Sequence, residues 1–390
     1  MSTEFAVVRS GRPVGAEERA AILAAPGFGQ YFTDHMASAT WTVDGGWAGH
    51  RVGPLEPFQL HPSAAVLHYA QEIFEGLKAY RHGDGSVWLF RPEANARRFA
   101  QSARRLDLPV LPEEDFIASC ATLVEVDEPW VPVPAGEESL YLRPFMFASE
   151  AFLGVRSAAR VEYAVIASPA GPYFESGVTG VTLWVSSTYA RASEGGTGAA
   201  KCGGNYAGSL AAQREAAVHG CDQVLYLDSA GKGNLEESGT MNLLLITSDG
   251  HLVTPELGTI LAGVTRDTLL TLADQHGLTP IERSVNIDEL RTGVADGTFV
   301  EAFAAGTAAV VTPITGFKGE ARQGDTGHAG DTGHAGHAGD AGHAGDSARY
   351  YELTVGDGTP GRKTVELREH VLDIQYGRTE DPHGWLHRVC

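Results

Sequence analysis

One lysine stands among glycines in the stretch from 195 to 220, which reads GGTGAAKCGGNYAGSLAAQREAAVHG. Six glycines between positions 195 and 208 surround Lys201, and a glycine backbone can approach a ligand closely because it carries no β-carbon. A lysine amine held beside a ligand can react with a carbonyl group. A solvated loop lysine is the simpler interpretation of this residue taken alone, so other residues of the chain must decide between the two.

Three further stretches carry groups that complement such an amine. Arg98 lies in RPEANARRF, Glu237 lies in EESGTMN, and the helical pattern GVTRDTLLTLA begins at Gly263. A guanidinium fork and a helix N-terminus both bind phosphate, and a carboxylate can pair with a protonated pyridine nitrogen. An amine, a carboxylate and anion-binding groups together predict a site for pyridoxal 5'-phosphate.

Nine motifs extend this pattern over nearly the whole chain. They are FGQYFTDHM (28–36), LHYAQEIFEGLKAY (67–80), FRPEANARRF (90–99), SLYLRP (139–144), KCGGNYAGSLAAQ (201–213), EESGTMN (236–242), LAGVTRD (261–267), GTAAVVTP (306–313) and DIQYG (373–377). In this order they resemble the motifs of the branched-chain amino acid aminotransferases, which belong to the fold type IV, or class IV, pyridoxal-phosphate enzymes.

The resemblance implies ping-pong transfer of the amino group from L-leucine, L-isoleucine or L-valine to 2-oxoglutarate. The products would be the branched 2-oxo acid and L-glutamate. Two alternatives stay open. One is another fold type IV enzyme, either a D-amino acid aminotransferase or an aminodeoxychorismate lyase; the other is a catalytically silent homologue that only binds ligand.

The resemblance also implies roles for the cofactor-binding residues. Lys201 would carry the cofactor and act as the base that moves the substrate's Cα proton. Glu237 would pair with the pyridine nitrogen, and Tyr206 would bond the phenolate oxygen of the ring. The phosphate group would be held by Arg98, Val264, Thr265 and Thr307.

A second set of residues is implied to bind the substrate. Arg143 would receive the distal carboxylate of glutamate, although an edge-of-strand pair with Glu150 is the structural alternative. Thr240 and the amide of Ala308 would take the α-carboxylate. The walls of the pocket would come from four aromatic residues: Tyr69, Phe74, Tyr141 and Tyr173. Leu153 and Val155 would reach the site across a homodimer interface.

Composition limits the classes of function. The formal net charge of -20 over 390 residues argues against a nucleic acid or an anionic membrane as partner. The four cysteines show no CxxC spacing, so neither a disulfide framework nor a zinc site is expected, and no metal is assigned. No apolar run is long enough to span a bilayer, which predicts a cytoplasmic protein.

Local patterns predict an α+β fold in two domains. A smaller N-terminal α/β domain covers 1–168, a linker rich in proline and glycine covers 169–180, and a larger cofactor-binding domain with a mixed-sheet pseudo-barrel covers 181–390. Strands are expected at 87–90, 139–147, 181–186 and 223–228, with a hairpin turning at Asp249-Gly250. Helices are expected to begin at Pro92, to end at Gly220, and to run from a cap at Thr265 to a stop at Gly277.

The segment 324–346 is a low-complexity repeat of glycine, alanine, histidine and aspartate. Such a composition cannot bury a core, so a disordered insertion is expected. Weak binding of a transition metal by its histidines is the alternative.

Overall fold

Two mixed sheets form the framework of the molecule. The computed structural model describes residues 4–134, 136–172, 178–321 and 350–390. The strands are β1 (Ala6–Val7), β2 (His35–Thr42), β3 (Gly46–Pro54), β4 (Glu72–Phe74), β5 (Leu77–Arg81), β6 (Val87–Phe90), β7 (Ser139–Ala148), β8 (Arg160–Ala170), β9 (Val181–Val185), β10 (Gln223–Leu227), β11 (Leu235–Ser238), β12 (Met241–Thr247), β13 (His251–Thr254), β14 (Thr279–Glu282), β15 (Phe299–Gly306), β16 (Val310–Glu320), β17 (Tyr350–Thr354) and β18 (Leu386–Arg388).

Helices cover the faces of both sheets. They are α1 (Ala16–Ala24), α2 (Ala65–Tyr69), α3 (Pro92–Arg105), α4 (Glu113–Val126), α5 (Gly203–Ala207), α6 (Leu210–Val218), α7 (Val264–Leu272), α8 (Ile287–Ala295) and α9 (Arg362–Gln375), with 3₁₀ turns at Glu128–Trp130 and Ala273–His276.

The first sheet has the strand order β1-β3-β2-β8-β7-β5-β6-β18, and β4 pairs with β7. Along β7 the side chains alternate between the two faces of the sheet. Leu140 and Leu142 are fully buried, whereas Tyr141 and Arg143 lie on the other, half-buried face. Phe99 and Ala103 of α3 pack in the same core as these leucines, so the helix that carries Arg98 is fixed against the sheet.

The second sheet closes on itself. Its order is β11-β10-β9-β16-β15-β12-β13-β14, and β11 also pairs with β12. This extra pairing turns six of its strands into a barrel, which is the expected mixed-sheet architecture. Helices α7 and α9 pack on the outside of β15, where Leu269 and Val371 are completely buried.

Most of the elements predicted from the sequence are confirmed, and two details differ. Helix α7 begins at Val264 with Gly263 as its N-cap, so the prediction that Thr265 caps this helix is wrong; Thr265 lies one residue inside it. Strand β8 runs on to Ala170 and takes up the first residues of the predicted linker. Gly277 does adopt the left-handed conformation that ends the helical segment, with φ 69°.

Other predictions fall on residues outside the described part of the chain, including the repeat at 324–346. Strand β18, near the C-terminus, joins β6 of the first sheet. In the described ranges, no helix combines the length and the hydropathy needed to cross a membrane.

Candidate active site

A cavity of about 210 Å³ lies between the two sheets. It is lined from the first sheet and α3 on one side and from the barrel and α7 on the other. The lining residues are Phe28, Phe74, Gly76, Arg98, Tyr141, Arg143, Lys201, Tyr206, Gln223, Ser238, Thr240, Met241, Asn242, Leu261, Gly263, Val264, Thr265, Ala305, Gly306, Thr307 and Ala308. The cavity therefore collects most of the site residues expected from the sequence.

Lys201 is held rigidly at the wall of this cavity. Its backbone amide donates to Oγ of Ser102 at 2.9 Å, and its carbonyl accepts from the Phe74 amide at 2.9 Å. Its Nζ donates to the hydroxyl of Tyr206 at 2.9 Å. Burial, together with the positive charge of Arg98, lowers the pKa of Lys201 to about 8. A substantial fraction of the amine is therefore unprotonated near neutral pH and can attack a carbonyl.

Glu237 is a buried carboxylate behind the cavity. Its oxygens pair with Nε of Arg191 at 2.5 Å and accept from the Leu261 amide at 2.7 Å and from Asn242 at 3.2 Å. Burial raises the pKa of Glu237 to about 7, against the opposing effect of Arg191. A carboxylate with this environment is stabilised further by a cationic partner such as a protonated ring nitrogen.

Arg98 lies at the end of the cavity near the N-terminus of α7. Its Nε and Nη2 pair with both oxygens of Glu75 at 2.7 and 2.8 Å, and its Nη1 donates to the Ala262 carbonyl at 2.9 Å. A guanidinium has five N–H donors, so two are left for an anion. Burial alone would raise the pKa of Glu75, but Arg98 reverses this and lowers it. The ion pair therefore keeps Arg98 in place.

Arg143 points its planar group along the aromatic wall. Its Nη2 donates to the Tyr141 hydroxyl at 3.0 Å, and its guanidinium lies 4.8 Å from the centre of the Phe74 ring. Its Nε is buried without a partner among the described residues. The alternative pair with Glu150 is wrong, because Glu150 binds Arg156 at 2.6 Å instead. Arg143 is thus available to a ligand.

Some of the expected site residues lie elsewhere. Tyr69 and Val155 line a separate surface hollow of about 490 Å³, and the side chains of Leu153 and Val155 are exposed. The structure therefore does not bring these three residues to the cavity of their own chain. Tyr173 lies outside the described residues.

The structure adds residues that the sequence reasoning missed. Arg191 is the partner of Glu237, and no motif marks it. Glu75 and Phe28 both lie within motifs quoted above, so their positions carried a signal although no role was assigned. Phe28 packs edge-on against Tyr141, with 5.0 Å between ring centres.

The donor set of the cavity fits pyridoxal 5'-phosphate. An amine with a lowered pKa, the buried carboxyl of Glu237 and a helix N-terminus beside Arg98 match the aldehyde, the ring nitrogen and the phosphate respectively. The cradle also depends on missing side chains: a β-carbon on Gly263 would collide with Asn242, and one on Gly76 with the Tyr141 hydroxyl. In the described residues, no cluster of three or more histidine, cysteine, aspartate or glutamate residues could hold a metal ion.

Comparisons with known proteins point to one family. The model of "Amino-transferase class IV" matches residues 72–317. A branched-chain-amino-acid aminotransferase of Mycolicibacterium smegmatis is 50% identical over 390 residues, covering 99% of this chain and 98% of its own. The solved Escherichia coli branched-chain amino acid aminotransferase superimposes with a TM-score of 0.68 at 26% identity, over 91% of this chain and 100% of its own.

A further solved structure bears on the cofactor. It is a branched-chain amino acid aminotransferase from the organism abbreviated T.th., with pyridoxamine 5'-phosphate. It superimposes with a TM-score of 0.64 at 28% identity, over 91% of this chain and 99% of its own.

Proposed function

This chain belongs to the class IV aminotransferases, and within them we propose that it is a branched-chain-amino-acid aminotransferase. It exchanges the amino group of L-leucine, L-isoleucine or L-valine with that of L-glutamate through the corresponding 2-oxo acids. The observation that carries the proposal is the placement of Lys201, Glu237 and Arg98 around one cavity. The full-length similarity to enzymes of this substrate class disfavours the D-amino acid aminotransferase and lyase alternatives.

Pyridoxal 5'-phosphate is the proposed cofactor, and it supplies an electron sink for the pair of electrons left when the substrate loses its Cα proton. Lys201 would hold it covalently, and Glu237 would keep the ring nitrogen protonated. Arg98, the amides of Val264 and Thr265, and Thr307 would bind the phosphate group. Tyr206 would bond the ring oxygen, while its hydroxyl also orients the Lys201 amine.

Lys201 also has the chemical part of general base. Once the incoming amino acid replaces it on the cofactor, the free amine stays close to the site, because Ser102 and Phe74 fix its backbone. Its Nζ can then take the proton from Cα and return it to the cofactor carbon. A pKa of about 8 suits both directions of this transfer, because general bases work best when their pKa is near the operating pH.

One pocket must accept both an apolar chain and a carboxylate. The proposed answer is the wall of Phe74, Tyr141 and Arg143, in which the guanidinium is spread over an aromatic ring. Its edge carries N–H donors for the distal carboxylate of glutamate, and the rings offer apolar surface to leucine. Thr240 and the amide of Ala308 would bind the α-carboxylate that both substrates share.

We propose further that two copies of the chain form a homodimer. Leu153, Val155 and Tyr69 would then complete the substrate pocket of the partner chain, which accounts for their exposure outside the cavity of their own chain. A pocket contribution from Tyr173, the division into domains at 1–168 and 181–390, and a cytoplasmic location are kept as predictions.

A spectroscopic experiment tests the function. The purified protein is loaded with pyridoxal phosphate, and its visible absorbance is recorded before and after L-leucine or D-alanine. L-leucine alone should remove the visible band, and 2-oxoglutarate should restore it. Conversion by D-alanine alone would contradict the substrate class while keeping the fold. Lys201→Ala should bind the cofactor without the band and without turnover, and an unchanged rate in this variant would overturn the proposal.

A further inference from the structure

A strained turn carries part of the proposed carboxylate site. Residues 307–309 join β15 to β16, and Thr307 and Ala308 line the cavity. Val310, which follows the turn, has φ 62°, in the left-handed region that a β-branched residue rarely adopts. Such a conformation persists only where surrounding contacts impose it, so something must hold this turn in shape.

Two buried cations hold the turn by its carbonyl groups. Lys78 Nζ donates to the carbonyl of Ala308 at 2.8 Å, and Arg368 Nε donates to the carbonyl of Val311 at 3.3 Å. The exposed fractions of Lys78 and Arg368 are only 7% and 3%, so both charged groups have been removed from water for this purpose. Lys78 belongs to β5 of the first sheet, and its bond therefore fastens a turn of the barrel to the other sheet.

The same network reaches the strand that binds the other end of the substrate. Arg368 also pairs with Glu137 at 2.6 Å, and Glu137 lies just before β7, which carries Tyr141 and Arg143. Lys78 is the direct neighbour of Tyr141 in the pairing of β5 with β7. Burial lowers the pKa of Lys78 to about 8, and Glu137 opposes that change. The ammonium form of Lys78 therefore predominates at neutral pH.

We propose that Lys78 is a positioning residue for the α-carboxylate of the substrate. Lys78 does not line the cavity, so it acts from behind the turn. Its bond to the Ala308 carbonyl fixes the orientation of the peptide groups that face the cavity, and its charge favours a carboxylate in front of them. This inference rests on the proposed function, because it concerns the carboxylate that every substrate of the reaction has in common.

Binding of 4-methylvalerate tests the proposal, because this acid has the skeleton and carboxylate of leucine but no amine. Its dissociation constant is measured by calorimetry on protein loaded with pyridoxal phosphate. Lys78→Met should weaken it about 10-fold, as expected for loss of a hydrogen bond from a charged group, while the affinity for pyridoxal phosphate is unchanged. Lys78→Arg should recover most of the loss.

Lys363→Met is the matched control. Lys363 also donates to a backbone carbonyl at 2.8 Å, that of His276, but it lies away from the cavity, so its loss should leave 4-methylvalerate binding unchanged. Normal binding in Lys78→Met, or an equal loss of cofactor and carboxylate affinity, would overturn the proposal. If Lys78→Met does not fold, Lys78→Gln replaces it, and failure of both to fold would assign Lys78 to the fold alone. Wild-type protein that never responds to L-leucine would instead refute the proposed function.

Discussion

At the scale of single residues, two adjacent glutamates show how surroundings separate chemical roles. Glu237 is tied to Arg191 and to the Leu261 amide directly behind the cavity. Glu236, on the opposite side of β11, accepts a hydrogen bond from Thr259 and lines a different hollow. The two residues are equivalent in the sequence motif, but only Glu237 is placed to act on a ligand in the cavity.

Replacing these glutamates should separate their contributions. Glu237→Gln removes the charge that would keep the ring nitrogen protonated, so kcat should fall about 100-fold or more, as for other lost electrostatic groups. Glu236→Gln is the control, and its kcat should change far less. Steady-state kinetics with L-leucine and 2-oxoglutarate would measure both. Equal losses in the two variants would contradict the assignment of Glu237.

The reactivity of Lys201 should depend on pH in a way that an ordinary lysine does not. Only the unprotonated amine attacks an aldehyde, so addition of pyridoxal phosphate to cofactor-free protein should speed up with rising pH and level off above about 8, the pKa of this residue. Stopped-flow absorbance gives the profile. Levelling near 10.5, the ordinary value, would show that burial does not perturb Lys201.

The same shift fixes the sign of its effect on stability. Because the pKa of Lys201 is lower in the folded state, the unfolded chain binds more protons between about pH 8 and 10.5. The contribution of Lys201 to the free energy of unfolding should therefore rise with pH across this window. Comparing cofactor-free wild type with Lys201→Met by urea unfolding at both ends of the window would isolate that contribution.

At the scale of elements, the sequence predicts what depends on local pattern and misses what depends on tertiary contact. The alternation in β7 and the proline at the start of α3 are local signals, and both elements form as expected. The pairing of Arg191 with Glu237 joins residues 46 positions apart and has no local signal. Thr265 was the preferred cap by residue type, but Gly263 takes that position because a side chain there would collide with Asn242.

The N-terminus of α7 offers a test at this scale. Gly263→Ala should displace Asn242 and with it the contact to Glu237, so the affinity for pyridoxal phosphate should fall about 10-fold, as for loss of one charge-assisted hydrogen bond. Gly15→Ala is a matched control, because Gly15 caps the nine-residue helix α1 and has open space around it. Fluorescence titration with the cofactor measures both. A similar affinity in the two variants would mean that this helix end does not form the cradle.

At the scale of the whole molecule, the apolar surface around Tyr69 has no partner within the described part of the chain. The side chains of Leu67, Leu153 and Val155 are 59%, 73% and 91% exposed, and the Gly154 amide donates to the Tyr69 hydroxyl at 2.7 Å, which joins the two segments. Apolar residues grouped in this way mark a site of association. A second copy of the chain is the proposed partner, and its cavity is the proposed destination of Leu153 and Val155.

Charge placed on this surface should therefore affect both assembly and catalysis. Val155→Asp would bury a carboxylate in the interface, so the protein should sediment as a monomer, whereas the wild type should have twice the mass of one chain. Val133→Asp is the control, because Val133 is 77% exposed but lies outside this surface. If Val155 completes the pocket of the partner chain, the monomeric variant should also lose leucine turnover while it still binds pyridoxal phosphate, since the cofactor-binding residues all come from one chain. A monomer with full activity would show that each cavity works alone.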